Sequence, residues 1–245
     1  MNFLALGLII PLAACSFAWN GDGDNSGAAA AGSGSGTTRT FQVAGFNGID
    51  LRGSDGVDVR VGTGFSIRAE GPSEQLDRLR IERDGNTLNI GRKNGASFGW
   101  SKGAKVKVYV TLPRLTDANV SGSGNMAVDR VEGGGFKGGV AGSGNLDIAA
   151  IQVDDAKFSI AGSGNARASG IARDLKIEIA GSGDVDGTKL QAQSATVEIA
   201  GSGSARAVVN GAAKVDLMGS GDVDLGPNSR CTISKMGSGN VRCGR

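Results

Sequence analysis

From residue 114 onward apolar and polar side chains alternate with a period of two, and every 18 to 20 residues the alternation stops at one phrase, Gly-Ser-Gly followed by Asn, Asp or Ser. The phrase begins at Gly122, Gly142, Gly162, Gly181, Gly201, Gly219 and Gly237. Period-two stretches read as strands with one buried face. A fixed repeat near 20 residues marks a solenoid, whose coils bury their apolar faces only by stacking. Two before the phrase stand Val120, Val140, Ile160, Ile179, Ile199 and Leu217; four before it stand Ala118, Gly138, Phe158, Ile177, Val197, Val215 and Ile233. Equal parity means an equal face, so both columns are expected to point inward. A third inward column opens after the phrase with Met126, Leu146, Ala166, Val185, Ala205, Val223 and Val241. The predicted fold is all-β, a single-stranded parallel β-helix with coils of about 18–20 residues.

The outward positions supply the register. Directly after the third column come Ala127, Asp147, Arg167, Asp186, Arg206, Asp224 and Arg242. Stacked at about 4.8 Å, Asp186 and Asp224 each fall between two Arg and Asp147 beside Arg167, a structural charge ladder worth roughly 0.2–1 kcal/mol per directly stacked pair. A slip by one whole coil would set like charges together. Carboxylates committed to Arg neighbours argue for structure rather than catalysis. The residue closing the phrase, Asn125, Asn145, Asn165, Asp184, Ser204, Asp222 or Asn240, forms a turn column expected to stack amide on amide at the corner. Before the phrase, Lys137, Lys157, Lys176, Thr196 and Lys214 run beside Ser159, Glu178, Glu198 and Asp216. This reads as a solvated charged face, one that can also contact an ionic polymer.

Residues 39–113, read as the N-terminal β part of the solenoid, alternate without the clean repeat of 114–245. Gly53-Ser-Asp-Gly56 is a degenerate first copy of the phrase, after Ile49–Arg52 and before the alternating Val57, Val59 and Val61. Further strands are expected at 66–70, 79–83, 87–91 and 105–112, with Asp84-Gly85 turning a hairpin and one or two helical turns within 73–80. Residues 93–103 read as an exposed loop carrying Phe98 and Trp100, either a binding element or an anchor tucked onto the body.

The N-terminus has a different pattern. Residues 3–14 are an uncharged apolar run, too short to span a bilayer and suited to an export signal. Leu12-Ala13-Ala14-Cys15 resembles the bacterial lipobox, although no Lys or Arg precedes the run. The resemblance implies a signal peptide over 1–14, a lipid on Cys15 as membrane anchor, and, with Ser16 following, delivery to the outer membrane. Residues 15–38 then carry the lipidated Cys and a Gly/Ala/Ser tether; its small, polar part, residues 20–38, would average roughly 24 Å end to end. Lipidation leaves Cys231 and Cys243 as a pair. They lie six before and six after Gly237, both on inward parity, and are predicted to form a disulfide closing the open end of the stack.

Composition narrows the chemistry. With 26 Lys and Arg against 24 Asp and Glu, bulk charge implies no nucleic-acid partner. The absence of His removes the commonest general base and metal ligand. Gly-Ser-Gly lacks the Lys-Ser/Thr of a P-loop and the third Gly of a dinucleotide fingerprint. Calcium is the better rival, but the mostly neutral closing residue supplies too little charge. No cofactor or metal is expected.

Tandem Gly-Ser-Gly-Asp/Asn coils, Leu112-Pro113-Arg114-Leu115 before the first, the opening Gly45-Phe-Asn-Gly-Ile49 and the lipobox together resemble the bacterial putative auto-transporter adhesin, head GIN domain family, over roughly residues 41–243. The resemblance implies adhesion and no catalytic residues, with the lipid rather than a transporter barrel as anchor. The expected function is that of a non-enzymatic, adhesion-like envelope lipoprotein. It would meet an envelope protein or glycan on the periplasmic side or at the cell surface, with end-to-end self-association open to it. A purely structural lipoprotein is the first alternative. A polysaccharide-acting enzyme is the second, opposed by the lack of His and of aromatic platforms.

Overall fold

The computed structural model describes residues 29–93 and 105–244. The expected signal peptide, Cys15 and the expected loop around Trp100 therefore lie outside the described residues. The first part comprises β1 (Thr38–Phe41), β2 (Gly48–Gly53), β3 (Gly56–Val61), β4 (Ser66–Glu70), α1 (Ser73–Asp77), β5 (Leu79–Asp84), β6 (Thr87–Arg92) and β7 (Lys107–Leu112). The repeats follow as β8 (Asp117–Gly122), β9 (Asn125–Val128), β10 (Val131–Gly142), β11 (Asn145–Gly162), β12 (Asn165–Gly181) and β13 (Val185–Gly201). The stack closes with β14 (Ala205–Val209), β15 (Ala212–Gly219), β16 (Val223–Asp224), β17 (Arg230–Met236) and β18 (Val241–Arg242).

The strands from β8 to β16 pair in parallel with the coils before and after, and β17 and β18 pair in parallel with the coil before. The phrases stack in register, Gly122 on Gly142 on Gly162 on Gly181 on Gly201 on Gly219. Gly53 pairs with Gly122 and Gly56 with Asn125, so β2 and β3 are the first coil and 53–56 its corner. In a full coil the in–out alternation breaks at Ala149-Ala150 and again at Asp154-Asp155, which divides it into three sides. The predicted inward columns are buried from Val120 to Leu217 and from Met126 to Val223. Phe136 and Phe158 fill one stretch of the interior with ring centroids 6.1 Å apart. Gly138 makes room for them, since a Cβ there would sit 3.2 Å from one ring and 3.1 Å from the other.

The corner explains the phrase. Ser163 and Gly164 both donate their backbone N–H to the carbonyl of Gly142, at 2.9 and 2.8 Å, and Asn165 N–H reaches the Gly144 carbonyl at 3.1 Å. Such close stacking leaves no room for a side chain. Gly162 has φ +122°, and a Cβ on it would lie 2.6 Å from the Gly142 carbonyl oxygen.

The N-terminal end is not a further parallel coil alone. β6 and β7 stack in parallel on β2 and β3, but β5 runs antiparallel to β6 through the Asp84-Gly85 turn, β4 antiparallel to β7, and β1 antiparallel to β4. These strands cap the stack and remove its exposed edge. The body also begins earlier than the expected tether boundary at 38. Ala30 N–H bonds the Ile81 carbonyl at 2.8 Å, and Ser33 and Thr40 exchange two backbone bonds. The small residues of 29–37 thus lie along a strand edge that supplies backbone partners.

At the other end the inward columns stop being covered. Ile233, on inward parity, is 48 % exposed, with no coil among the described residues stacked on it.

Candidate binding surface

The long side of each coil, leading up to the phrase, carries the two charged columns. Registry places Lys157 on Lys176, and Ser159 on Glu178 on Glu198 on Asp216. The like-charge columns are neutralised crosswise. Glu178 receives Lys157 and Lys176, each at 2.8 Å, and the Ser159 hydroxyl at 3.1 Å; Lys176 also reaches Glu198 at 3.4 Å, and Lys214 pairs with Asp216 at 2.7 Å. Burial opposes a charge on Glu178, but the hydrogen-bonded ammonium groups of Lys157 and Lys176 outweigh it and hold the carboxyl at about 2. Beside this lattice a groove of about 560 Å³ runs across the coils, with Lys137, Lys157 and Lys176 on one wall and Asp155, Asp174 and Ser194 on the other. Asp174 is held below the usual carboxylate range, first by the Ser194 hydroxyl and then by Arg173.

On the side after the phrase the Asp/Arg column is in register throughout, Asp147 with Arg167, Asp186, Arg206, Asp224 and Arg242 in turn. Contacts are less uniform than the column. Arg167 bridges Asp147 at 3.3 Å and Asp186 at 3.2 Å, and Arg242 reaches Asp224 at 4.0 Å. Arg206 has no carboxylate within 4 Å among the described residues. Its neighbour Asp186 turns to Thr188, whose hydroxyl and N–H lower its pKa more than Arg167 does. The turn column behaves in two ways. Asn145 donates to Asn125 at 2.8 Å and Asn165 to Asn145 at 3.1 Å; beyond that, Asp184 N–H bonds the Asn165 side chain, Ser204 N–H the Asp184 carboxylate, and Asn240 the Asp222 carboxylate. These two columns, with Ala166 between them, line a second, mainly polar groove of about 490 Å³.

Cys231 and Cys243 are joined, with Cα atoms 6.1 Å apart. Lys235 occupies the place of Leu217 in the coil above and donates to the Gly239 carbonyl at 2.9 Å. In the earlier coils the corresponding carbonyls of Gly124 and Gly144 accept from Asn145 and Asn165 of the next coil, so here the lysine supplies the donor. One anchoring pair carries no signal in the sequence. Asp55, in the first corner, is 2 % exposed and accepts from Arg92 at 2.6 and 2.8 Å and from Val106 N–H at 3.1 Å.

Among the described residues no group of side chains is arranged to hold a metal ion, and no helix is long and apolar enough to cross a membrane. A family described as putative auto-transporter adhesin, head GIN domain, matches residues 45–228. The chain belongs to this family. The fold recurs in crystal structures of a putative adhesin from Bacteroides fragilis NCTC 9343 (20% identity, TM-score 0.76, 84% of this chain and 95% of that one) and of a putative lipid binding protein from Parabacteroides distasonis ATCC 8503 (23%, 0.66, 87% and 98%). A putative adhesin from Parabacteroides merdae ATCC 43184 is similar at 19% identity and TM-score 0.66, over 85% of this chain and 96% of that one. No protein of curated function matches the chain.

Proposed function

We propose that this head GIN domain protein is a non-enzymatic cell-envelope lipoprotein whose solenoid body is an adhesion-like binding module. The observation that carries the reading is the lattice on the long side, where the column of Lys157, Lys176 and Lys214 runs beside the column of Glu178, Glu198 and Asp216 and the two pair crosswise. A carboxyl held near 2 is a poor general acid at neutral pH. Paired charges on a rigid sheet instead offer fixed donors and acceptors to a repetitive partner, and a polymer lying in the adjoining groove would meet ammonium groups on one wall and carboxylates on the other. The partner is an envelope protein or a glycan. A glycan array probed with the full chain tests this: retention without turnover supports the module, cleavage of any retained glycan replaces it with an enzyme, and no retention of glycan or envelope protein leaves a purely structural lipoprotein. The reading includes a lipid on Cys15 and an outer-membrane address. Cys15→Ser should move the protein from the membrane fraction to the soluble one, and unchanged fractionation would remove the anchor from the proposal.

A further inference from the structure

The last coil differs in chemistry from those before it. From Leu225 to Gly244 the chain carries Arg230, Lys235 and Arg242 and no Asp or Glu, whereas the preceding coil holds Asp216, Asp222 and Asp224. The same end exposes apolar side chains, Ile233 at 48 % and Met236 at 70 %, with Met218 at 59 % stacked beside Met236. β17 pairs with β15 on one side and with no strand on the other among the described residues. Every second peptide group of a terminal parallel strand is then left pointing out of the end.

Apolar side chains interleaved with cations, on a terminal coil that carries no acid of its own and only Asp224 of the coil before it at 4.0 Å from Arg242, match one kind of surface. We propose that the C-terminal end of the solenoid docks onto an anionic phospholipid surface. Ile233 and Met236 would rest at the acyl boundary while Arg230 and Arg242, the latter 82 % exposed, meet phosphate groups. Docking stays at headgroup depth, because the outward peptide groups of β17 need the acceptors and water found there and would be costly in hydrocarbon. A second copy fits less well. Tail-to-tail pairing sets three cations against three, and head-to-tail pairing meets the antiparallel cap instead of an open parallel edge.

The proposal stands apart from the binding role of the long side and is tested apart from it. The full chain is titrated with vesicles of phosphatidylcholine alone and of phosphatidylcholine with about one third phosphatidylglycerol. An N-terminal lipid or apolar segment contributes to both, so the readout is the ratio of the two affinities. That ratio should exceed about tenfold, shrink in high salt, and fall about fivefold for each cation removed in Arg230→Gln and Arg242→Gln. Ile233→Ser with Met236→Ser should weaken anionic-vesicle binding without touching the Cys231–Cys243 pair, which mass spectrometry checks. Equal affinity for both vesicles, or an anionic preference that survives all four substitutions, overturns the proposal. So does a sedimenting dimer that Ile233→Ser dissociates and that vesicles fail to compete.

Discussion

At the scale of the residue, Gly-Ser-Gly is a statement about space. The first Gly of each phrase combines a positive φ with a carbonyl of the coil before it, at the distance where a Cβ would sit. The middle Ser points outward, and only its N–H is used by the stack. Gly162→Ala should therefore cost about 3 kcal/mol or more, from backbone strain together with displacement of a stacked coil. Ser163→Ala, one position on, should stay within about 0.5 kcal/mol. Urea denaturation of the pair measures both, and equal losses would show that the corner tolerates a Cβ. The turn column shows how one atom changes a ladder. Asn donates and accepts, so Asn125, Asn145 and Asn165 chain amide to amide; Asp184 and Asp222 only accept, and the next backbone N–H takes over as donor.

At the scale of the element, the long side holds its charges by crossing between columns, and Glu178 is the crossing point. Its carboxyl titrates at about 2 in the folded chain against an ordinary 4.5. A depressed folded value stabilises above the unfolded pKa and is lost as pH falls from about 4.5 through about 2. The side chain is 32% exposed, so screening cuts the contribution to about 1–2 kcal/mol. Glu178→Gln should lower the melting temperature at pH 7 and match the wild type near pH 2; a constant gap across that range would assign the loss to packing. The cap depends on a different pair. Arg92→Met would leave the Asp55 carboxylate buried with Val106 N–H as its remaining partner, at a cost of about 3 kcal/mol. Hydrogen exchange should then quicken in β5 and β6 ahead of the coils, and uniform quickening would contradict a local anchor. The β5–β6 hairpin itself was legible from Asp84-Gly85, because its turn is local. The Asp55–Arg92 pair was not, because its partners are 37 residues apart and meet only when β6 stacks on β2.

At the scale of the whole molecule, a solenoid is nearly one-dimensional, with each coil stabilised by its two neighbours. That is why one repeated phrase made so much of the fold readable: the same spacing that places Val140 inward places Ile160 and Ile179 there too. It is also why the ends were hardest to read. Ile233 obeys the inward parity and is still exposed, since burial needs a following coil that no pattern within the repeat can promise. The charge ladder shows the same limit, its register set by spacing and its contacts by neighbours such as Thr188. The terminal coil has one neighbour fewer and so is the first to open, which gives the Cys231–Cys243 bond a local task. Closing a loop of 12 residues is worth at most about 3 kcal/mol by loss of unfolded-state entropy, and in a one-dimensional stack that stabilisation stays near the end. Replacing both cysteines with Ser should accelerate hydrogen exchange in β17 and β18 by up to about a hundredfold while β11, β12 and β13 keep their protection. If protection fell equally along the stack, the coils would be one cooperative unit and the bond a global clamp.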